Sequence, residues 1–188
     1  MLDAFIAYVS LPLSESEVAA IGEASLERHV PEGTYLLQPG STARELYFIV
    51  SGVLSIVVSH ESGRDATSFF LTENKFCTIL ESFHRQVPAE EGIRAACDAD
   101  LLVFRYDALR ALYASVPALE RFIEQATRQT LLEKIRVRNT YLGLDASARY
   151  QQFLERQPDI VRRVALGDIA AYLEVTPQSL SRIRKNLQ

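Results

Sequence analysis

Between residues 35 and 71, apolar and β-branched side chains come in short runs separated by turn residues, the pattern of half-buried strands. The runs fall at 35–38, 45–50, 53–59 and 66–71, and Gly33, Gly40, Gly52 and Gly63 punctuate them. Strands this short at nearly regular spacing predict a small antiparallel sandwich or jelly roll. Residues 93–97 and 101–105 close the β region, with 86–91 as a polar loop. Residues 75–83 suit either a strand or a short helix. Upstream, 2–29 predict helix in two pieces parted near Leu11-Pro12-Leu13; Ser14 caps the second, with Glu17 three residues on.

Beyond residue 105 the apolar period lengthens to that of a helix. A helix is expected over 106–114, and a longer one over 117–141, which holds no internal Gly or Pro. In the longer one Leu119, Phe122, Ile123, Ala126, Leu131, Leu132 and Ile135 cover more than one face. One side can lie on the β-domain while another meets a partner helix, which makes this a dimer helix. Packing wholly within its own chain is the other solution. A further helix over 145–157 takes Ala148, Phe153 and Leu154 as its core positions, and Pro158 follows it.

The last stretch, LGDIAAYLEVTPQSLSRIRKNL, has the spacing of a helix-turn-helix. Ile169, Ala170 and Leu173 form the inner stripe of a first helix; Leu180, Ile183 and Leu187 form that of a second. Thr176 suits the N-cap and Pro177 the first helical position. Burying 180, 183 and 187 puts Gln178, Arg182 and Lys185 on the outer face. Amide and guanidinium forks there can pair with purine edges in a major groove. Gln178 and Arg182 are the candidate base contacts, and Thr176, Ser179 and Lys185 the candidate phosphate contacts. Ser181 and Arg184 divide evenly between contact and plain solvent-facing roles. Glu174 holds the turn position that usually takes Gly.

Charge sharpens this picture. The 188-residue chain has net charge −4, yet residues 1–145 carry −7 and residues 146–188 carry +3. An acidic front with a small basic tail suits a sensory or assembly domain joined to a nucleic-acid module. Hydrophobic content of 48% supports a proper core. No apolar run is long enough to span a membrane and the first residues lack a leader pattern, so a cytoplasmic protein without a membrane partner is expected. Cys77 and Cys97 have no metal-type spacing and suit a reducing compartment. His29, His60 and His84 are scattered, so no metal, haem or other cofactor is expected. No phosphate-cradling Gly loop or nucleophile elbow is present, and the chain does not read as an enzyme.

In this order the parts resemble the Crp/Fnr family of bacterial transcription regulators over nearly the whole chain. PEGTYLLQPGSTARELYFIVSGVLSIVV is similar to that family's cyclic-nucleotide-binding-type β-roll, and VTPQSLSRIRKNL is close to the ITPETLSRIRKKL common in such regulators of Bacteroidetes. The resemblance implies an α+β fold: a β-roll domain with N-terminal helices over 1–116, a dimerisation helix over 117–142 and a helix-turn-helix domain over 143–188. It implies a homodimer on a palindromic operator in double-stranded DNA. It leaves room for RNA polymerase and an unidentified small-molecule effector as further partners. The alternative is a ligand-binding or protein-docking module of the same fold that no longer binds DNA.

Two departures from the family pattern stand out. Where relatives that bind cyclic AMP carry FxGExxLF and then an Arg-Ser/Thr-Ala step, this chain reads FCTILESF and then QVPAEEGIRAA. Thr78-Ile79 replace Gly-Glu, and Ala89-Glu90-Glu91 replace the cationic step, which turns attraction for a cyclic phosphate into repulsion. Cyclic AMP in the usual mode is therefore not expected, and Arg85 and Arg94, which flank the loop, read as solvated charges. The second departure is that only DIVRRVA separates Pro158 from Leu166, too little for a full β-hairpin wing. There Arg162 and Arg163 read as a solvated surface pair.

Overall fold

The computed structural model describes residues 1–59 and 65–186. His60, Gly63 and Leu187, each assigned a place above, lie outside that range. Two helices, α1 (Leu2–Val9) and α2 (Glu15–Glu23), lead into eight strands: β1 (Ser25–Val30), β2 (Tyr35–Leu37), β3 (Glu45–Ser51), β4 (Leu54–Ser59), β5 (Asp65–Leu71), β6 (Phe76–Cys77), β7 (Glu91–Ala95) and β8 (Ala99–Arg105). Helix α3 (Leu80–Arg85) interrupts them after β6, and α4 (Tyr106–Ser115) follows β8. The chain then runs through α5 (Pro117–Thr140), α6 (Ala146–Arg156), α7 (Pro158–Arg163), α8 (Leu166–Tyr172) and α9 (Pro177–Asn186).

The strands form two antiparallel four-stranded sheets, ordered β1-β8-β3-β6 and β2-β7-β4-β5, which is the expected jelly roll. Phe48, Ile49, Leu54, Ile93, Leu101 and Phe104, from β3, β4, β7 and β8, are sealed from water in one core cluster. Gly52, between β3 and β4, sits at φ +102°, and a Cβ there would meet the Ala99 backbone at 2.5 Å. Only glycine permits that approach. Helix α1 packs on the β1-β8-β3-β6 sheet: Phe5 meets Phe48 and Phe104 with ring centroids 5.1 and 5.3 Å apart. The capping box at Ser14 and Glu17 is present, starting α2 where the sequence places it.

The N-terminal helical expectation runs too far. Residues 25–30 are strand β1, paired along their length with β8 from Ser25↔Phe104 to Val30↔Ala99. Leu26 and Glu27 face solvent on this edge strand, so the run shows no clean alternation, and pairing to β8 decides its conformation. The ambiguous 75–83 stretch splits into β6 and the start of α3. Helix α7 was not anticipated; it adds a fourth helix to the expected three-helix C-terminal unit. Among the described residues no strand follows β8, so no wing is built there.

Helix α5 buries one apolar face and leaves another exposed. Leu119 and Ile123 are buried against the β-roll, with Phe122 and Ala126 half-buried beside them. Leu131, Leu132 and Ile135 face solvent at 44%, 40% and 48% exposure. Burying one face while leaving a second apolar face open is unusual for a helix that has found all its partners.

Candidate nucleic-acid interface and ligand cavity

Helix α8 ends in a left-handed residue. Glu174 takes φ +56°, the Val175 amide donates to Ala170 O at 2.9 Å, and the Glu174 amide donates to Ala171 O at 3.3 Å. This is a Schellman cap with a glutamate at the position glycine favours. The Ser179 amide then donates to Thr176 Oγ1 at 3.1 Å, so Thr176 caps α9 and Pro177 opens it. Leu180 is buried and Ile183 half-buried against the inner side. On the outer side Thr176, Gln178, Ser179, Arg182 and Lys185 are exposed, with Ser181 half-buried. All six candidate residues thus lie on one helix and its cap. Among the described residues, Arg182, Arg184 and Lys185 enter no ion pair. The Thr176 hydroxyl donates to Ser179 Oγ at 2.9 Å, which holds both hydroxyls at the helix entrance.

The C-terminal unit shares its core with the outer surface of the β2-β7-β4-β5 sheet. Val53, Phe70 and Ala96 join one apolar cluster with Tyr150, Phe153, Ile160, Ile169 and Leu180. The Phe70 and Tyr172 rings lie 5.1 Å apart. Gln157 Nε2 donates to the hydroxyls of Tyr141 and Tyr172 at 3.1 and 3.3 Å, tying the end of α5 to α8.

Two ion pairs reinforce the contact, and both correct the sequence reading. Arg94 is no solvated charge, because its guanidinium meets Asp168 in the first turn of α8. Arg163 forks onto Glu73, with Nη1 donating to Oε2 at 3.1 Å and Nη2 to Oε1 at 2.5 Å. Burial pushes the Glu73 carboxyl up, but hydrogen bonds from Arg163 and from backbone amides outweigh it and hold the group below the usual carboxylate range. Arg85 does stay at the surface, paired with Glu81, and Arg162 pairs with Asp159.

Between the β-roll and α5 lies a cavity of about 200 Å³, walled by Ile56, Leu71, Leu80 and Leu131. Its polar lining is Thr78, Thr127, Thr130, Glu91 and Lys134. The sequence reading missed the share that α5 has in this lining. Thr127, Thr130 and Lys134 recur at helical spacing, but nothing in the pattern says which face meets the roll. Lys134 is the cation here, and it is already engaged, 3.5 Å from Glu91 and 3.4 Å from Ser68 Oγ. Thr78 donates to Glu45 O at 3.0 Å, fixing the cassette-like loop to β3. A cyclic phosphate needs a free cationic fork, and this cavity presents a carboxylate and a neutralised lysine instead. Cys77, beside it, is buried, and burial pushes its thiol up to about 12, which makes it a packing residue.

A β-roll with a cavity under a long helix, followed by a helix-turn-helix, defines the class of two-part regulators built on a cyclic-nucleotide-binding fold. A family model described as a cyclic nucleotide-binding domain matches residues 27–116. The cAMP-activated global transcriptional regulator CRP of Salmonella typhimurium is 24% identical over 169 residues, covering 84% of this chain and 80% of its own. The CRP-like protein Clp of Xanthomonas campestris is 22% identical over 194 residues, covering 95% of this chain and 84% of its own. Among solved structures, the c-di-GMP responsive global regulator CLP of Xanthomonas campestris has a TM-score of 0.72 at 19% identity, covering 93% of this chain and 92% of that one. A putative Crp/Fnr-family transcriptional regulator from Eubacterium rectale has a TM-score of 0.75 at 17% identity, covering 97% and 88%. Residues 27–116 thus form a cyclic nucleotide-binding domain, in a chain that is similar over most of its length to regulators of Crp/Fnr type. Among the described residues, no helix is long and apolar enough to cross a membrane.

Proposed function

We propose that this chain is a homodimeric, sequence-specific transcription regulator that reads double-stranded DNA with α9. The observation that carries the reading is the free outer ridge of that helix, where Gln178 and Arg182 stand exposed above a buried Leu180. Two copies joined along the open apolar face of α5 would present two such helices. Their operator is then a rough palindrome with half-sites about 34 Å apart. Thr176, Ser179, Ser181 and Lys185 hold the backbone and set register, while Gln178 and Arg182 select bases. A relative named as a global transcriptional regulator supports this role at low identity. The paired Lys134 and Glu91 argue that any effector differs in chemistry from cyclic AMP.

The test is selection of binding sites from a random duplex library by the full chain, followed by fluorescence anisotropy on the selected sequence. An inverted repeat is expected, bound more tightly than a scrambled duplex at the same salt. Equal affinity for both, or no binding at low salt, would overturn the reading.

A further inference from the structure

A second cleft lies where all three parts of the chain meet: β5, the C-terminal half of α5 and the α6–α7 corner. It measures about 400 Å³, within the range of small-molecule sites. Phe70, Val137, Pro158 and Ile160 give it apolar walls. Its charged lining is Lys75, Arg136 and Arg156 against Glu133 and Asp159.

The pairing of these charges is uneven. Lys75 and Glu133 satisfy each other across the cleft. Asp159 is taken by Arg162 from its own helix. Arg136 and Arg156 remain, and among the described residues neither enters an ion pair or a side-chain hydrogen bond. Among the described residues, two guanidinium groups from different helices, α5 and α6, therefore line one pocket without an ion-pair partner, its two carboxylates being engaged elsewhere. Like charges sharing a cleft repel, and an added anion would relieve that repulsion while accepting planar, forked hydrogen bonds.

We infer that this cleft binds a small phosphate ester with an apolar or aromatic body, its phosphate held by Arg136 and Arg156 and its body against Phe70, Val137 and Ile160. The site adjoins the cavity under α5, with Phe69 and Leu71 as a shared wall, and its occupation does not depend on DNA binding. Because its walls come from the roll, the long helix and the C-terminal unit, a ligand seated here bridges all three. It is placed to bias how the reader sits on the sheet.

Adenosine 5′-monophosphate is the probe, titrated into the full chain at low salt by isothermal titration calorimetry. Saturable binding is expected, and the double variant Arg136→Gln, Arg156→Gln should weaken it by at least about tenfold. The single variants Arg136→Gln and Arg156→Gln should each show a smaller loss, which keeps the test available if the double variant misfolds. Arg85→Gln, which removes a surface guanidinium that pairs with Glu81 away from the cleft, should leave affinity unchanged. No heat at millimolar probe, equal affinity in the arginine variants, or adenosine binding as tightly as its phosphate would each overturn the assignment. A chain that failed to select DNA yet bound the probe would leave this inference standing and remove only the previous one.

Discussion

Glu174 shows what a single residue can cost at a turn. A left-handed backbone raises the energy of a non-glycine residue by about 1–2 kcal/mol. The carboxylate recovers little, since it is 80% exposed and stands 3.7 Å from Arg149. Glu174→Gly is therefore expected to stabilise the C-terminal unit by about 1 kcal/mol, seen as a higher midpoint in thermal unfolding followed by circular dichroism. An unchanged or lower midpoint would mean that the Arg149 contact outweighs the backbone term. On α9 the two proposed contact classes should separate by their effect on DNA. Arg182→Ala should lower affinity for the selected operator by roughly tenfold or more while leaving scrambled duplex nearly unaffected. Lys185→Ala should weaken both alike and flatten the salt dependence. Anisotropy on the two duplexes distinguishes these outcomes.

At the scale of elements, α5 carries the sharpest expectation. Leu132→Glu with Ile135→Glu places charges on the apolar face of α5 that is open to solvent. Sedimentation velocity should then report a monomer where the native chain sediments as a dimer, with the helical spectrum kept. A monomeric native chain would remove the proposed pairing. The faces of this helix were legible in sequence because apolar residues sit at too many angles for one packing surface. Strands β3, β4 and β5 were legible because each has a clear apolar run bounded by turn residues. Strand β1 was not, because its partner's backbone holds it and its own side chains lack a pattern. Helix α7 was missed for a different reason: it is only six residues long and ends in two arginines, so it reads as loop. The ion pairs Arg94–Asp168 and Arg163–Glu73 join residues 74 and 90 positions apart, a distance at which no local pattern can announce a contact.

For the molecule as a whole, the seating of the C-terminal unit on the sheet depends partly on charge. The carboxyl of Glu73 is held below its ordinary value of 4.5. Its contribution is complete above that value and fades as pH falls through the lower, folded-state value. The protection of the α8 amides against hydrogen exchange, corrected for the intrinsic rate at each pH, should accordingly fall in acid. In Glu73→Gln the same amides should already exchange faster at neutral pH and show a weaker acid dependence. Indistinguishable exchange in the variant would assign the seating to the apolar cluster around Phe70 and Tyr172 alone.

The Arg163–Glu73 fork also limits how the tail's positive charge can be spent. While the unit sits on the sheet, one of its seven basic side chains is committed to an internal carboxylate and withheld from any polyanion outside. Added salt would loosen that clasp and release the arginine, even as it strips phosphate contacts from the ridge. The two responses oppose each other, so counting the tail's cations overstates how steeply electrolyte can dislodge the protein from a duplex.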